Sequence, residues 1–137
     1  MSFKFSTKNR EYNLEIRGNC IQVIGESGVG KSLMSRDLVD YIGGAYRVVL
    51  VTKNNRGVMS SISSISKNDY IILDVEERDI TPEVERYIRK SINDRQNTWI
   101  IICRKPLGCV VGSNIAELKR KKLPGNNYSF MLNYGSF

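Results

Sequence analysis

Residues 25 to 32 read Gly25-Glu26-Ser27-Gly28-Val29-Gly30-Lys31-Ser32, and few eight-residue stretches constrain a chain so strongly. Glycines at 25, 28 and 30 let the backbone adopt positive φ and lie close against a ligand. Successive N–H groups of such a loop wrap an anion, and a helix starting at its end adds the positive potential of its N-terminus. Both required flanks are present. Cys20-Ile21-Gln22-Val23-Ile24 reads as a buried strand; beyond Gly30, Leu33, Leu38, Val39 and Ile42 fall on one helical face until Gly43-Gly44 stops the helix. At ordinary residue frequencies the pattern G-x-x-x-x-G-K-[ST] arises in roughly one of 200 chains of this length. In such a pattern the lysine, here Lys31, can bridge the β and γ phosphates, and the hydroxyl, here of Ser32, can hold Mg²⁺.

The remaining pattern alternates strand and helix. Apolar residues alternate from Tyr12 through Leu14 and Ile16, pause at Gly18-Asn19 and resume at Cys20, which predicts a hairpin entering the buried strand. Arg47 to Thr52 contains Val-Val-Leu-Val and predicts a second buried strand, ended by Lys53-Asn54-Asn55-Arg56-Gly57. Val58, Ile62 and Ile65 have helical spacing within a serine-rich stretch. Tyr70-Ile71-Ile72-Leu73 is a third apolar run, ending in Asp74-Val75-Glu76-Glu77. Thr81-Pro82-Glu83 starts a helix with a hydroxyl cap, a proline at the first position and an acid in the first turn; Val84, Tyr87, Ile88 and Ile92 form its apolar stripe. Trp99 to Cys103 predicts a fourth buried strand, and Tyr128, Phe130 and Leu132 alternate in a last one. This order implies one domain over residues 1–137, an α/β fold with a mostly parallel sheet and helices on both faces.

The glycine loop and the apolar run ending in Asp74 resemble the Walker A and Walker B elements of the P-loop NTPase superfamily. That resemblance implies a three-layer α-β-α P-loop core, here with a short N-terminal antiparallel hairpin. It implies ATP and Mg²⁺ held by Gly25, Glu26, Ser27, Gly28, Val29, Gly30, Lys31, Ser32 and Leu33, with Asp74 beside the metal. In the branch with an added catalytic glutamate, that residue follows the Walker B Asp directly, whereas Val75 intervenes here. Glu76 shares a face with Asp74 if the strand geometry persists, and Glu76 and Glu77 are both candidates to orient or deprotonate water; solvated loop acids are the alternative. Ile-Ile-Ile-Cys-Arg looks like the strand end of the STAND signalling NTPases, so Arg104 is a candidate sensor of the γ-phosphate, against a plain surface arginine. The resemblance points to a minimal additional-strand core of AAA or STAND type. No N-K-x-D guanine motif follows the loop, which disfavours GTP, and the L-S-G-G-Q signature of transporter ATPases is absent.

Charge and composition limit the remaining choices. Residues 104–122 hold Arg104, Lys105, Lys119, Arg120, Lys121 and Lys122 against Glu117, five of the net +7. Lys119 to Lys122 fit a phosphate-closing lid, a nucleic-acid or protein-binding patch, or a solvated helix end. With no histidine, Ser-His and Cys-His nucleophiles are excluded; Cys20, Cys103 and Cys109 are an odd set with no metal-site spacing. No apolar run approaches the roughly 20 residues of a membrane span, and the expected compartment is the cytosol. Three functions follow: an ATPase driving a partner or a homo-oligomer, a small P-loop kinase, or a nucleotide-dependent nucleic-acid-binding module.

Overall fold

The computed structural model describes residues 1–52, 57–107 and 114–135. The asparagines expected to end the second strand and Cys109 lie outside them. Twelve elements follow in order: β1 (Ser2–Thr7), β2 (Arg10–Glu15), β3 (Cys20–Ile24), α1 (Lys31–Ile42), β4 (Val48–Thr52), α2 (Val58–Ile62), β5 (Tyr70–Asp74), a 3₁₀ turn (Glu77–Asp79), α3 (Pro82–Asn93), β6 (Thr98–Ile102), β7 (Asn114–Leu123) and β8 (Asn127–Asn133). The strands form one mixed eight-stranded sheet ordered β1-β2-β8-β7-β3-β6-β5-β4. The pairs β2·β8, β7·β3, β3·β6, β6·β5 and β5·β4 are parallel; β1·β2 and β8·β7 are antiparallel.

Strand alternation sends the apolar residues of the sheet to two cores. Ile21, Val23, Ile72, Ile100 and Ile102 meet Met34, Leu38 and Ile42 of α1, in a cluster that continues through Leu118, Phe130, Leu132, Tyr12, Leu14 and Phe3. Cys20, Val51, Ile71, Leu73, Trp99 and Ile101 meet Val58 and Ile62 of α2 and Val84 and Ile88 of α3. Strand β3 is buried at all five positions because it lies between helices on both sides, which explains its unbroken apolar reading. The second core does not extend to β1, β2, β8 or β7, and Lys4, Glu11, Asn13, Lys119, Lys121 and Met131 face outward there. The molecule is therefore a mixed α/β fold, not a clear three-layer parallel core: among the described residues, the half built from these four strands is covered on one face alone.

Two expectations about connectivity need correction. The apolar runs at 12–16 and 20–24 do not form a hairpin, because β8 and β7 stand between β2 and β3. The N-terminal hairpin is instead β1·β2, turned at Lys8, whose φ of 51° is unusual for a side chain of that length. Similarly, Lys119 to Lys122 are not at a helix end but within β7, paired with β8. The helix expected around the serine-rich stretch is the short α2, and Ile65 packs against the same core from beyond its end.

Start and stop signals explain the helices. Thr81 Oγ1 accepts a hydrogen bond from the Val84 amide at 3.3 Å, and Pro82 opens α3, so the hydroxyl cap and proline act as expected. A buried polar chain ties this helix to β6: Trp99 Nε1 donates to Ser91 Oγ at 2.8 Å, Ser91 Oγ donates to Asn97 Oδ1 at 2.9 Å, and Asn97 Nδ2 donates to the Ser66 carbonyl at 2.7 Å. Ser91→Ala leaves the indole N–H of the fully buried Trp99 unpaired and is expected to lower stability by about 1–3 kcal/mol in urea unfolding. No change in midpoint would mean that the indole finds another acceptor.

Candidate functional site

The carboxyl ends of β3, β6 and β5 open together onto one cleft of about 900 Å³, the edge of a parallel sheet at which strand-to-helix loops create binding sites. The glycine loop leaves β3 there and turns into α1 with Gly28 at φ 85° and Gly30 at φ 111°, values that favour glycine. Gly30 is also fixed by space: a Cβ there would lie 3.1 Å from Phe130 Cε1 on β8. The Val29 amide donates to the Glu26 carbonyl at 3.2 Å, and the Met34 amide to the Gly30 carbonyl at 2.9 Å, closing the loop and starting the helix.

Lys31 folds back over the loop and donates to the carbonyls of Gly25 and, at 3.1 Å, Glu26. Burial and then the neighbouring Arg104 charge push its pKa below the ordinary lysine value, partly offset by Cys103 and Asp74. Ser32 Oγ donates to Asp74 Oδ2 at 2.8 Å, so the first turn of α1 meets the end of β5. A hydroxyl and a carboxylate at that separation form a hard-oxygen pair suited to Mg²⁺, which uses few protein ligands and completes its shell with phosphate and water.

Ser27, Gly28, Gly30, Lys31, Ser32, Leu33, Asp74, Glu76, Glu77 and Arg104 all line the cleft. Gly25, Glu26 and Val29 are not among its lining residues; they shape the loop, Gly25 and Glu26 through the carbonyls that hold Lys31. The two glutamates differ. Strand β5 ends at Asp74, so the alternation that would keep Glu76 beside it does not continue. Glu76 instead caps the 3₁₀ turn: its side chain accepts from the Asp79 amide, its own amide donates to Asp79 Oδ2 at 3.1 Å, and its carboxylate pairs with Arg78 at 2.7 Å. Among the described residues Glu77 forms no ion pair.

Sequence reasoning missed Gln22. Buried within β3, it accepts from the Leu107 amide at 2.6 Å and donates to the Leu107 carbonyl at 3.3 Å, pinning the segment after β6 that carries Arg104 and Lys105 along the cleft. The available signal was a lone amide inside an otherwise apolar strand, since such a group must find a partner when buried.

No protein-family model and no curated protein matches the sequence. Solved structures do match the fold. One is the complex of archaeal ribosomal stalk protein aP1 with archaeal ribosome recycling factor aABCE1, at TM-score 0.54 and 12% identity, covering 96% of this chain and 38% of that one. Another is RNase-L Inhibitor, at TM-score 0.52 and 13% identity, covering 98% of this chain and 39% of that one. Both neighbours belong to the ABC family of P-loop ATPases, and this chain spans about two fifths of their length. At such identities the likeness is one of fold. Neither structure supplies a counterpart for the AAA or STAND assignment expected from the sequence. Among the described residues, no helix is long and apolar enough to cross a membrane.

Proposed function

We propose that the chain binds Mg·ATP in this cleft, through a P-loop built on a single domain, and hydrolyses the β–γ bond to act on a protein partner or on copies of itself in the cytosol. The supporting observation is convergence: Lys31 and Ser32, Asp74 and Glu77, and Arg104 come from three separate chain segments and line one cleft, with Ser32 bonded to Asp74. The carbonyls of Gly25 and Glu26 that now hold the Lys31 amine are surrogates for phosphate oxygens, and β and γ phosphates are stronger acceptors because they are charged. Ser32 and Asp74 are the groups that would hold Mg²⁺, whose contribution is to neutralise phosphate charge. Arg104, near enough to lower the Lys31 pKa, can stabilise charge that develops on the γ-phosphate. Glu77 is better placed than Glu76 to orient or deprotonate water, because Glu76 is committed to Arg78 and the 3₁₀ cap.

The kinase and nucleic-acid readings both leaned on Lys119 to Lys122 as one surface. In β7 the two-residue period divides them, with Lys119 and Lys121 on the uncovered side of the sheet and Arg120 and Lys122 on the loop side. A hinged lid made of this stretch has no support, and the ATPase reading stands ahead. The complex formed by the archaeal recycling factor with a stalk protein gives a protein partner some precedent in this fold.

The test is phosphate release from Mg·ATP by the purified chain, measured across protein concentration. Glu77→Gln is expected to cut turnover by about a hundredfold or more while sparing ATP affinity, and Glu76→Gln to cut it much less. The reverse order would transfer the water-activating role to Glu76. ATP bound without turnover at any concentration would replace the ATPase by a nucleotide switch.

A further inference from the structure

The glycine loop has two flanks, and only one is occupied by the groups assigned so far. Asp74, Glu77 and Arg104 approach from β5 and β6. On the other side β7 pairs with β3, matching Ile24 with Glu117, and the β7·β8 hairpin runs on past the loop. Leu118 of β7 is buried, so the strand period places Arg120 on the same face, towards the loop. Arg120 Nη1 makes a long hydrogen bond of 3.4 Å to the carbonyl of Gly28 at the crown of the loop. Its guanidinium carbon also lies 5.1 Å from the centre of the Tyr128 ring, which is half-buried on β8. The next inward residue on that face, Phe130, packs against Gly30 and stacks on Tyr12 with ring centroids 4.9 Å apart, so this wall is backed by packed aromatics.

We propose that Arg120 and Tyr128 form a stacking platform for the base of a purine nucleoside triphosphate, giving the β7·β8 hairpin the nucleoside side of the site. This rests on the reading of the loop as a triphosphate site. The direction follows from the loop itself. The terminal phosphate belongs where Ser32, Asp74, Glu77 and Arg104 converge, so the rest of the nucleotide leaves by the opposite flank, which is the one Arg120 touches. Planar guanidinium and phenol groups both stack on nucleobases, and the cation strengthens the contact with a π-face. Stacking of this kind responds to ring area and not to a hydrogen-bonding code, so it favours purines over pyrimidines without separating adenine from guanine.

Equilibrium titration of ATP, CTP and inorganic tripolyphosphate, each with Mg²⁺, tests the platform on the wild type, Arg120→Gln, Tyr128→Leu and Tyr128→Phe, with thermal unfolding as the check on folding. Wild type is expected to bind ATP more tightly than CTP and than tripolyphosphate. Tyr128→Leu and Arg120→Gln should each weaken ATP by about tenfold while changing tripolyphosphate much less. Tyr128→Phe should retain ATP affinity, because the ring and not the hydroxyl carries the contact. Equal losses for ATP and tripolyphosphate, or undiminished ATP binding in both variants, would overturn the platform. Arg120 is exposed, so its variant remains informative even if Tyr128→Leu unfolds. Wild type that binds neither ATP nor tripolyphosphate would remove the phosphate-loop reading as well, whereas tripolyphosphate bound as tightly as ATP would remove the platform alone.

Discussion

Lys31→Ala is expected to abolish the proposed ATP binding, and turnover with it, in a chain that remains folded. Among the described residues the Lys31 amine bonds to the carbonyls of Gly25 and Glu26 and to no core side chain, so its removal leaves the two cores intact. In the proposed site it removes the side-chain charge meant for the β and γ phosphates, the interaction on which P-loop sites depend most. Affinity should fall beyond the range of calorimetry while the melting temperature shifts little; unchanged affinity would refute the site. The same lysine predicts a pH effect. Burial and Arg104 place its pKa below the usual lysine value, so protonated Lys31 is lost on raising the pH sooner than for an ordinary lysine. ATP affinity should decline correspondingly early in the alkaline range, and the decline should vanish in Lys31→Arg, whose guanidinium stays charged there.

Asp37→Ala is the variant expected to destabilise most. Asp37 on α1 accepts from Arg10 Nε at 2.7 Å, from Arg10 Nη2 at 3.0 Å and from Tyr12 Oη at 2.5 Å, a fork that joins the helix after the loop to β2. The Arg10 and Asp37 side chains are only 13% and 9% exposed. Cutting out the carboxylate leaves a largely buried guanidinium without its counter-charge and a buried phenol without its acceptor, at a cost of about 3–5 kcal/mol in urea unfolding. Replacing Arg10 and Asp37 together by methionine and leucine should cost less, since the uncompensated charge is gone and what remains is the Tyr12 hydroxyl without its acceptor. Loss of less than about 1 kcal/mol in Asp37→Ala would show that water reaches the pair.

The triad also sets an acid limit. Burial alone would raise the Asp37 pKa, but hydrogen bonds from Arg10 and Tyr12 outweigh it and hold the carboxyl below the usual range. Because its folded value lies below its unfolded one, the stabilisation is complete above the ordinary carboxylate range, about pH 4, and is lost as pH falls through the folded value. Wild type should therefore lose stability towards acid more steeply than the methionine–leucine double variant.

The parts of the fold legible in the sequence were those whose signals are local. Thr81-Pro82 announced α3, the run ending in Asp74 announced β5, and the octapeptide announced the loop, because capping, apolar burial and backbone freedom act over a few residues. Pairing is not local. Tyr12 and Cys20 looked like hairpin partners because they are near in sequence, yet β2 pairs with β8, matching Tyr12 with Phe130 more than a hundred residues away. A parallel partner leaves no turn signature between the strands, so nothing along the chain marked that choice. The basic run from Lys119 was misread for a similar reason: four charges in a row conceal the strand period that the apolar Leu118 and Leu123 only bracket.

The sequence by itself determined the glycine loop between strand and helix and the alternation of strands with helices, since these depend on residue types at short spacing. Only the tertiary structure decided the rest. It joined Ser32 to Asp74, engaged Glu76 with Arg78 while leaving Glu77 outside any ion pair among the described residues, and brought Arg120 and Tyr128 to the far flank of the loop. Those relations arise from the sheet order, which is selected by the mutual burial of faces distant in the chain.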